Sequence, residues 1–191
     1  VLRVLAINGS LREGSHNGAL LRAAETLTPS GAALVELTGL AAVPPYREED
    51  DVVPPPPAVA ALRAALAGAD AVLVSTPEYN ASMPGQLKNA LDWASRPFPD
   101  NALRGTPAAV IGASTGMFGA VWAQAELRRV LQTIGAEVID RELPVAFAHE
   151  RFDTRGRLID DDLAAELADV VATLIARARR SDPLDELPIA V

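Results

Sequence analysis

Apolar residues in this chain come in two spacings that alternate from one end to the other. Short apolar-rich runs occupy residues 2–7, 33–37, 71–75, 108–113 and 137–139, each of a length that suits a strand. Between them the apolar positions fall three and four apart: Leu20, Ala23, Ala24 and Leu27, then Val59, Leu62 and Leu66, then Leu87, Ala90, Leu91 and Ala94. Leu127, Val130, Leu131 and Ile134 follow, and Leu163, Leu167, Val170, Val171 and Leu174 close the series. That spacing gives each helix one apolar stripe. Strands that need no polar alternation are covered on both faces, and strands that alternate with helices pair in parallel. The pattern predicts an α/β fold, a doubly wound five-stranded parallel sheet with helices on both faces. Ligands on such sheets lie beyond the carboxyl ends of the strands, which points to the loops after residues 7, 75 and 113.

The first of these loops carries the most chemistry. Residues 8–20 read NGSLREGSHNGAL, a strand-to-helix connection rich in Gly, hydroxyl and amide side chains. Unpaired N–H groups and the positive end of the helix dipole make such a connection a natural anion site. Ser10, Ser15 and Asn17 offer neutral hydrogen bonds, and Arg12 offers a charge-assisted, bidentate grip on a phosphate. The nucleotide-hydrolase loop GxxxxGK[ST] and the dinucleotide loop GxGxxG are both absent, so a terminal monophosphate held by side chains is the better match. An ordinary polar turn with a Ser or Asn cap fits the same residues.

Composition narrows the function classes. A chain of 191 residues suits one large domain, taken here as residues 1–180 followed by a tail at 181–191. The net charge of −8 argues against nucleic acid and anionic membranes as partners, so any phosphate must be held locally. Cys is absent, which removes disulfides and thiolate nucleophiles. No run of about 18 apolar residues and no secretory leader is found, which predicts a cytoplasmic protein with no membrane partner. The sequence opens at Val1 inside a strand and is read as lacking its natural start. Two connections exceed ordinary turns. Residues 38–57 hold a run of acids and then four prolines, and are expected to cover one edge of the site or meet a partner. Residues 144–159 read as a long loop before the last helix. The tail has two Pro and no helical stripe, and is expected to be loosely held or to pack on a neighbouring subunit.

The loop after the third strand is the second candidate. Pro77 bars a continuing central strand, Ser82 is placed to cap the next helix, and Pro84 suits a first helical turn. Tyr79 offers an aromatic plane, and Asn80 with nearby backbone amides offers donors and acceptors for a flat ring with a polar edge. GSLREGSHN at 9–17 followed by PEYNASMPGQLKNALDW at 77–93 resembles the NADPH-dependent FMN reductase family, flavodoxin-like proteins that include quinone, chromate and azo-dye reductases. The likeness runs from the first strand to about Arg180, and ASTGMFG at 113–119 is similar to the family's third flavin-side loop.

The resemblance implies strand order 2-1-3-4-5 and FMN at the carboxyl edge of the sheet. It assigns Ser10, Arg12, Ser15 and Asn17 to the FMN phosphate, with Leu11 beside the ribityl chain. Pro77, Glu78, Tyr79, Asn80 and Ser82 would line the ribityl chain and ring, with Ser114, Gly116 and Phe118 on the other side. Many relatives carry an Arg where this chain has Trp122. The expected activity is hydride transfer from NADPH or NADH to FMN and on to a small acceptor: a quinone, a nitro or azo compound, a metal species or free flavin. No catalytic acid or base is required, because the flavin carries the redox chemistry. The alternative is a flavodoxin-type electron carrier without its own nicotinamide site. A homodimer or homotetramer with its interface beside the flavin is expected, from the family and from the apolar and aromatic content of residues 87–98. His16 and His149 are isolated, so no metal site is expected. Met83, Met117 and Trp93 are read as packing residues, and Asp160, Asp161 and Asp162 as helix-start acids. A serine hydrolase is disfavoured, since no GxSxG elbow occurs.

Overall fold

The structure is a computed structural model that describes residues 1–180, so the tail at 181–191 lies outside the described residues. The strands are β1 (Leu2–Asn8), β2 (Ala32–Glu36), β3 (Ala71–Ser75), β4 (Pro107–Ala113), β5 (Glu137–Val138) and β6 (Pro144–Val145). The helices are α1 (His16–Thr26), α2 (Pro57–Ala67), α3 (Gly85–Ala94), α4 (Val121–Ile134), α5 (Ala148–Arg151) and α6 (Asp161–Arg180). The sheet is parallel in the order β2-β1-β3-β4-β5, as expected.

Side chains of the central strands alternate between two apolar cores. Val4, Ala6, Leu73, Ala109 and Ile111 point to the face covered by α1 and α6. Leu5, Ile7, Val72, Val74, Ala108 and Val110 point to the face covered by α2, α3 and α4. Alternate residues of a strand face opposite sides, so an unbroken apolar run is what two covered faces require. Each helix turns its stripe inward: Leu20 and Ala24 on α1 and Leu167, Val171 and Leu174 on α6 meet one face, and Leu127 and Leu131 on α4 meet the other.

The fifth strand is split, which the sequence reading did not foresee. It runs beside the start of β4 as β5, leaves the sheet, and returns as β6 beside Gly112 and Ala113. Pro144 hides this return, because proline reads as a strand breaker and two residues carry no period. The N–H groups of Gly112 and Ser114 donate to the carbonyls of Leu143 and Val145, so the N–H that Pro144 lacks is not needed for these bonds. Gly119 locks the arrangement. Its φ is +57°, and a Cβ there would lie 2.5 Å from the Pro144 carbonyl carbon.

Residues 38–57 form a strap on α3. Gln86, Asn89 and Trp93 of that helix donate to the carbonyls of Leu40, Val43 and Pro44 at 2.7–2.9 Å. Arg63 of α2 closes the strap by pairing with Asp51 at 2.8 Å. The strap thus buries one end of the sheet face and takes no part in lining the cavity described next.

Candidate functional site

The β1–α1 loop is shaped by three side-chain acceptors, each of which takes a backbone N–H two residues on. Asn8 Oδ1 accepts from Ser10, Ser10 Oγ from Arg12, and Ser15 Oγ from Asn17, at 3.1, 3.3 and 3.1 Å. Such bonds fix a turn locally, and the last of them is the N-cap of α1. Asn17, 2% exposed, then ties the loop to the sheet. Its Oδ1 accepts from Ser75 Oγ at 2.8 Å and from the Ala113 N–H at 2.9 Å, and its Nδ2 donates to the Ala113 carbonyl at 2.9 Å. One amide therefore joins the carboxyl ends of β3 and β4 beneath the first turn of α1.

The loop after β3 folds as a two-residue hairpin. Tyr79 and Ser82 exchange both backbone hydrogen bonds, and Asn80 and Ala81 between them adopt φ values of 55° and 61°. Two successive positive φ angles are what such a tight turn demands. Ser82 does not cap α3, contrary to the sequence expectation. The helix begins at Gly85 after Pro84, and the Ser82 hydroxyl instead donates to Glu126 of α4 at 2.5 Å. Glu78 has a role that spacing alone did not reveal. Its Oε2 accepts the N–H groups of Trp122 and Ala123 at 3.0 and 3.1 Å, the first turn of α4, whose own preceding residue Ala120 has no side-chain acceptor. The Glu78 charge is thereby placed at the positive end of that helix.

The three loops enclose an open cavity of about 350 Å3 at the carboxyl edge of the sheet. Its wall brings together Ser10, Arg12, Ser15, Asn17, Pro77, Glu78, Tyr79 and Ser114. Leu11, Asn80, Ser82, Gly116 and Phe118 sit in the same loops outside that wall. His16, Ala113 and Thr115 also line it and were not selected from the sequence. Their signal was present: His16 opens the helix that starts at the anion loop, and Thr115 stands inside the third loop. Arg12 is exposed, and its guanidinium has no ion pair or hydrogen-bond partner among the described residues. His16 stacks on Phe152, and burial, then Arg12 and His149, hold its pKa below the ordinary histidine value. The third loop repeats the device of the first, with Gly116 N–H donating to Ser114 Oγ at 3.1 Å. Tyr79, Met117, Phe118, Trp122 and Phe147 are all exposed large apolar side chains of these loops and their margins, and Phe118 meets Trp122 at 4.8 Å between ring centroids. Among the described residues no group of His, Asp or Glu is arranged to hold a metal ion, and no helix is long and apolar enough to cross a membrane.

A doubly wound sheet in this order, with a polar, arginine-bearing cavity at its carboxyl edge, has the architecture of flavodoxin-like proteins. The family model for NADPH-dependent FMN reductase matches residues 2–150, and the chain belongs to that family. An NAD(P)H-dependent FMN reductase of Pseudomonas aeruginosa is 45% identical over 161 residues, 84% of this chain and 86% of that one. A 2-hydroxy-1,4-benzoquinone reductase from a Burkholderia species is 37% identical over 164 residues, 84% of this chain and 87% of the other. Among solved structures, the flavoenzyme NAD(P)H:(acceptor) oxidoreductase FerB of Paracoccus denitrificans superposes with a TM-score of 0.82 at 34% identity, covering 94% of this chain and 98% of its own.

Proposed function

We propose that this chain is an oxidoreductase that holds FMN in the cavity at the carboxyl edge of its sheet, takes a hydride from NADPH or NADH, and delivers electrons to a small acceptor, with quinones the leading class. The observation that carries the reading is Arg12. In a chain of net charge −8 its guanidinium stands on the cavity wall without a carboxylate partner among the described residues, beside the hydroxyls of Ser10 and Ser15 at the start of α1. Those residues fit a phosphomonoester. Each hydroxyl oxygen already accepts a backbone N–H, which leaves its own proton to donate. Arg12 supplies charge, and the helix start supplies further N–H donors.

When bound, FMN supplies the redox chemistry, accepting a hydride and passing on the electron pair. The protein then has to bind, orient and keep a ring face open. Asn17 holds the phosphate loop against β3 and β4 and has a second Nδ2 hydrogen for the ligand. Leu11 would flank the ribityl chain, Pro77, Glu78, Tyr79 and Asn80 would line the chain and ring, and Ser114, Gly116 and Phe118 would stand on the other side. Ser82 acts through Glu126, fixing the hairpin that carries Tyr79 and Asn80. Support for quinones comes from the similarity to the Burkholderia benzoquinone reductase and from the exposed aromatic side chains around the cavity mouth, which suit flat acceptors.

The deciding test is an anaerobic stopped-flow record of the visible flavin band with NADPH and NADH in separate runs. Either nucleotide alone is expected to bleach the FMN-loaded protein, and a quinone is expected to restore the colour. If dithionite bleaches it and neither nucleotide does, an electron carrier replaces the reductase. We also propose that the protein works as a homodimer or a dimer of dimers.

A further inference from the structure

His16 lines the cavity but has no part in the reading above. It is the first residue of α1, between Ser15 and Asn17, and its ring lies on Phe152 with centroids 5.9 Å apart and planes 26° apart. That contact fixes the imidazole against the wall that holds Arg12. The charged or titratable groups that act on it are Arg12 from its own loop and His149 from α5, the latter 3.5 Å from the Glu150 carboxylate. Burial first, and then these two neighbours, favour the neutral ring and hold its pKa below the ordinary histidine value. A phosphate dianion within about 4–6 Å of the ring would reverse that balance, since an opposite charge at that range favours the charged form.

We propose that His16 is a further phosphate ligand of this cavity, one that takes up a proton as the phosphomonoester end of FMN binds, so that the hold on the cofactor tightens on mild acidification. The inference rests on placing that phosphate at residues 10–17. By linkage, a ligand that raises a group's pKa binds more tightly below that pKa than above it. The phosphate's own second ionisation, near pH 6, works in the opposite direction. The contribution of His16 is therefore read as a difference between variants, not as an absolute slope.

The test is calorimetric titration of the flavin-free chain with FMN between about pH 8 and about pH 6.5, across the histidine range, in two buffers of different ionisation enthalpy. His16→Gln removes the titration and keeps a donor. His16→Phe removes both and keeps a ring for Phe152. The wild type is expected to take up more protons per FMN than either variant, and its affinity advantage is expected to grow from near nothing at the alkaline end to roughly tenfold at the acid end, the worth of a charged hydrogen bond. His149→Gln is expected to keep that pH dependence. Proton uptake equal in the wild type and both His16 variants overturns the inference while leaving the phosphate site standing. Riboflavin binding as tightly as FMN to the wild type removes the phosphate site itself, and the inference with it.

Discussion

At the scale of single residues, charge placement separates binding groups from structural ones. Arg63 and Arg151 are spent on Asp51 and Asp160 at 2.8 and 2.5 Å, whereas Arg12 is left facing the cavity. Arg12→Ala is expected to weaken FMN binding by about 1.5–3 kcal/mol, ten- to a hundredfold, and to leave riboflavin binding unchanged. Flavin-fluorescence titration of both ligands checks this, and an equal loss for riboflavin would contradict a phosphate role. Ser10 and Ser15 stand out in the sequence because their hydrogen bonds are local, made within the turn that they build, and Arg12 because it is the one arginine between them. Asn17 and Ser82 were legible only by position. The side chain of one reaches Ala113, 96 residues on, and that of the other reaches Glu126, 44 residues on, and no spacing rule spans such separations.

Elements are joined by caps that one segment lends to another. Helix α4 has Ala120 in the left-handed region just before it and takes its N-terminal acceptor from Glu78. Glu78→Ala is expected to cost about 0.5–2 kcal/mol of stability, the usual worth of a cap, with Glu78→Gln costing less because an amide oxygen still accepts. Urea unfolding of both variants provides the measurement, and an unchanged midpoint for Glu78→Ala would refute the role. The start of α6 behaves differently because Asp160 precedes it directly. The N–H of Leu163 first, and then the Arg151 guanidinium, hold its carboxyl below the ordinary value of 3.8. A depressed folded pKa contributes stability that is present above the unfolded value and is lost as pH falls through the folded one. Melting temperatures of the wild type and Asp160→Asn are therefore expected to converge below about pH 3.8, the unperturbed value. A gap that stays constant through that range would exclude Asp160 as its source. The last helix start was legible from its three acids. Strand β6 was not, because a two-residue strand beginning with Pro144 has neither period nor propensity to betray it.

For the whole molecule, the alternation of strands and helices implied a parallel sheet with its site at the carboxyl edge, the motif likeness implied the strand order, and the observed sheet and cavity agree with both. A surface for association is harder to read, since periodicity shows which residues are apolar and not which are covered. The apolar content of residues 87–98 pointed to association, yet Leu87, Ala90, Leu91, Trp93 and Ala94 are buried in the core beside β3 and β4, and only Pro97 and Phe98 at the end of the stretch are exposed. The larger group of uncovered apolar side chains stands at the cavity mouth, where Tyr79, Phe118 and Trp122 are 52%, 53% and 48% exposed. Exposed apolar patches of this kind mark contact surfaces, and closed two-fold assemblies are the commonest way to cover them. The FMN-loaded protein is therefore expected to scatter light as two copies of the 20.0 kDa chain at micromolar concentration, or as four. Trp122→Glu places a charge among those rings and is expected to shift the mass toward one chain, while Phe98→Ser, away from the mouth, should leave it unchanged. A wild-type mass of one chain across the micromolar range would rule out association. Dissociation by Phe98→Ser with no effect of Trp122→Glu would move the interface to the far ends of α3 and α4, where Phe98 lies beside Arg129 and Ile134.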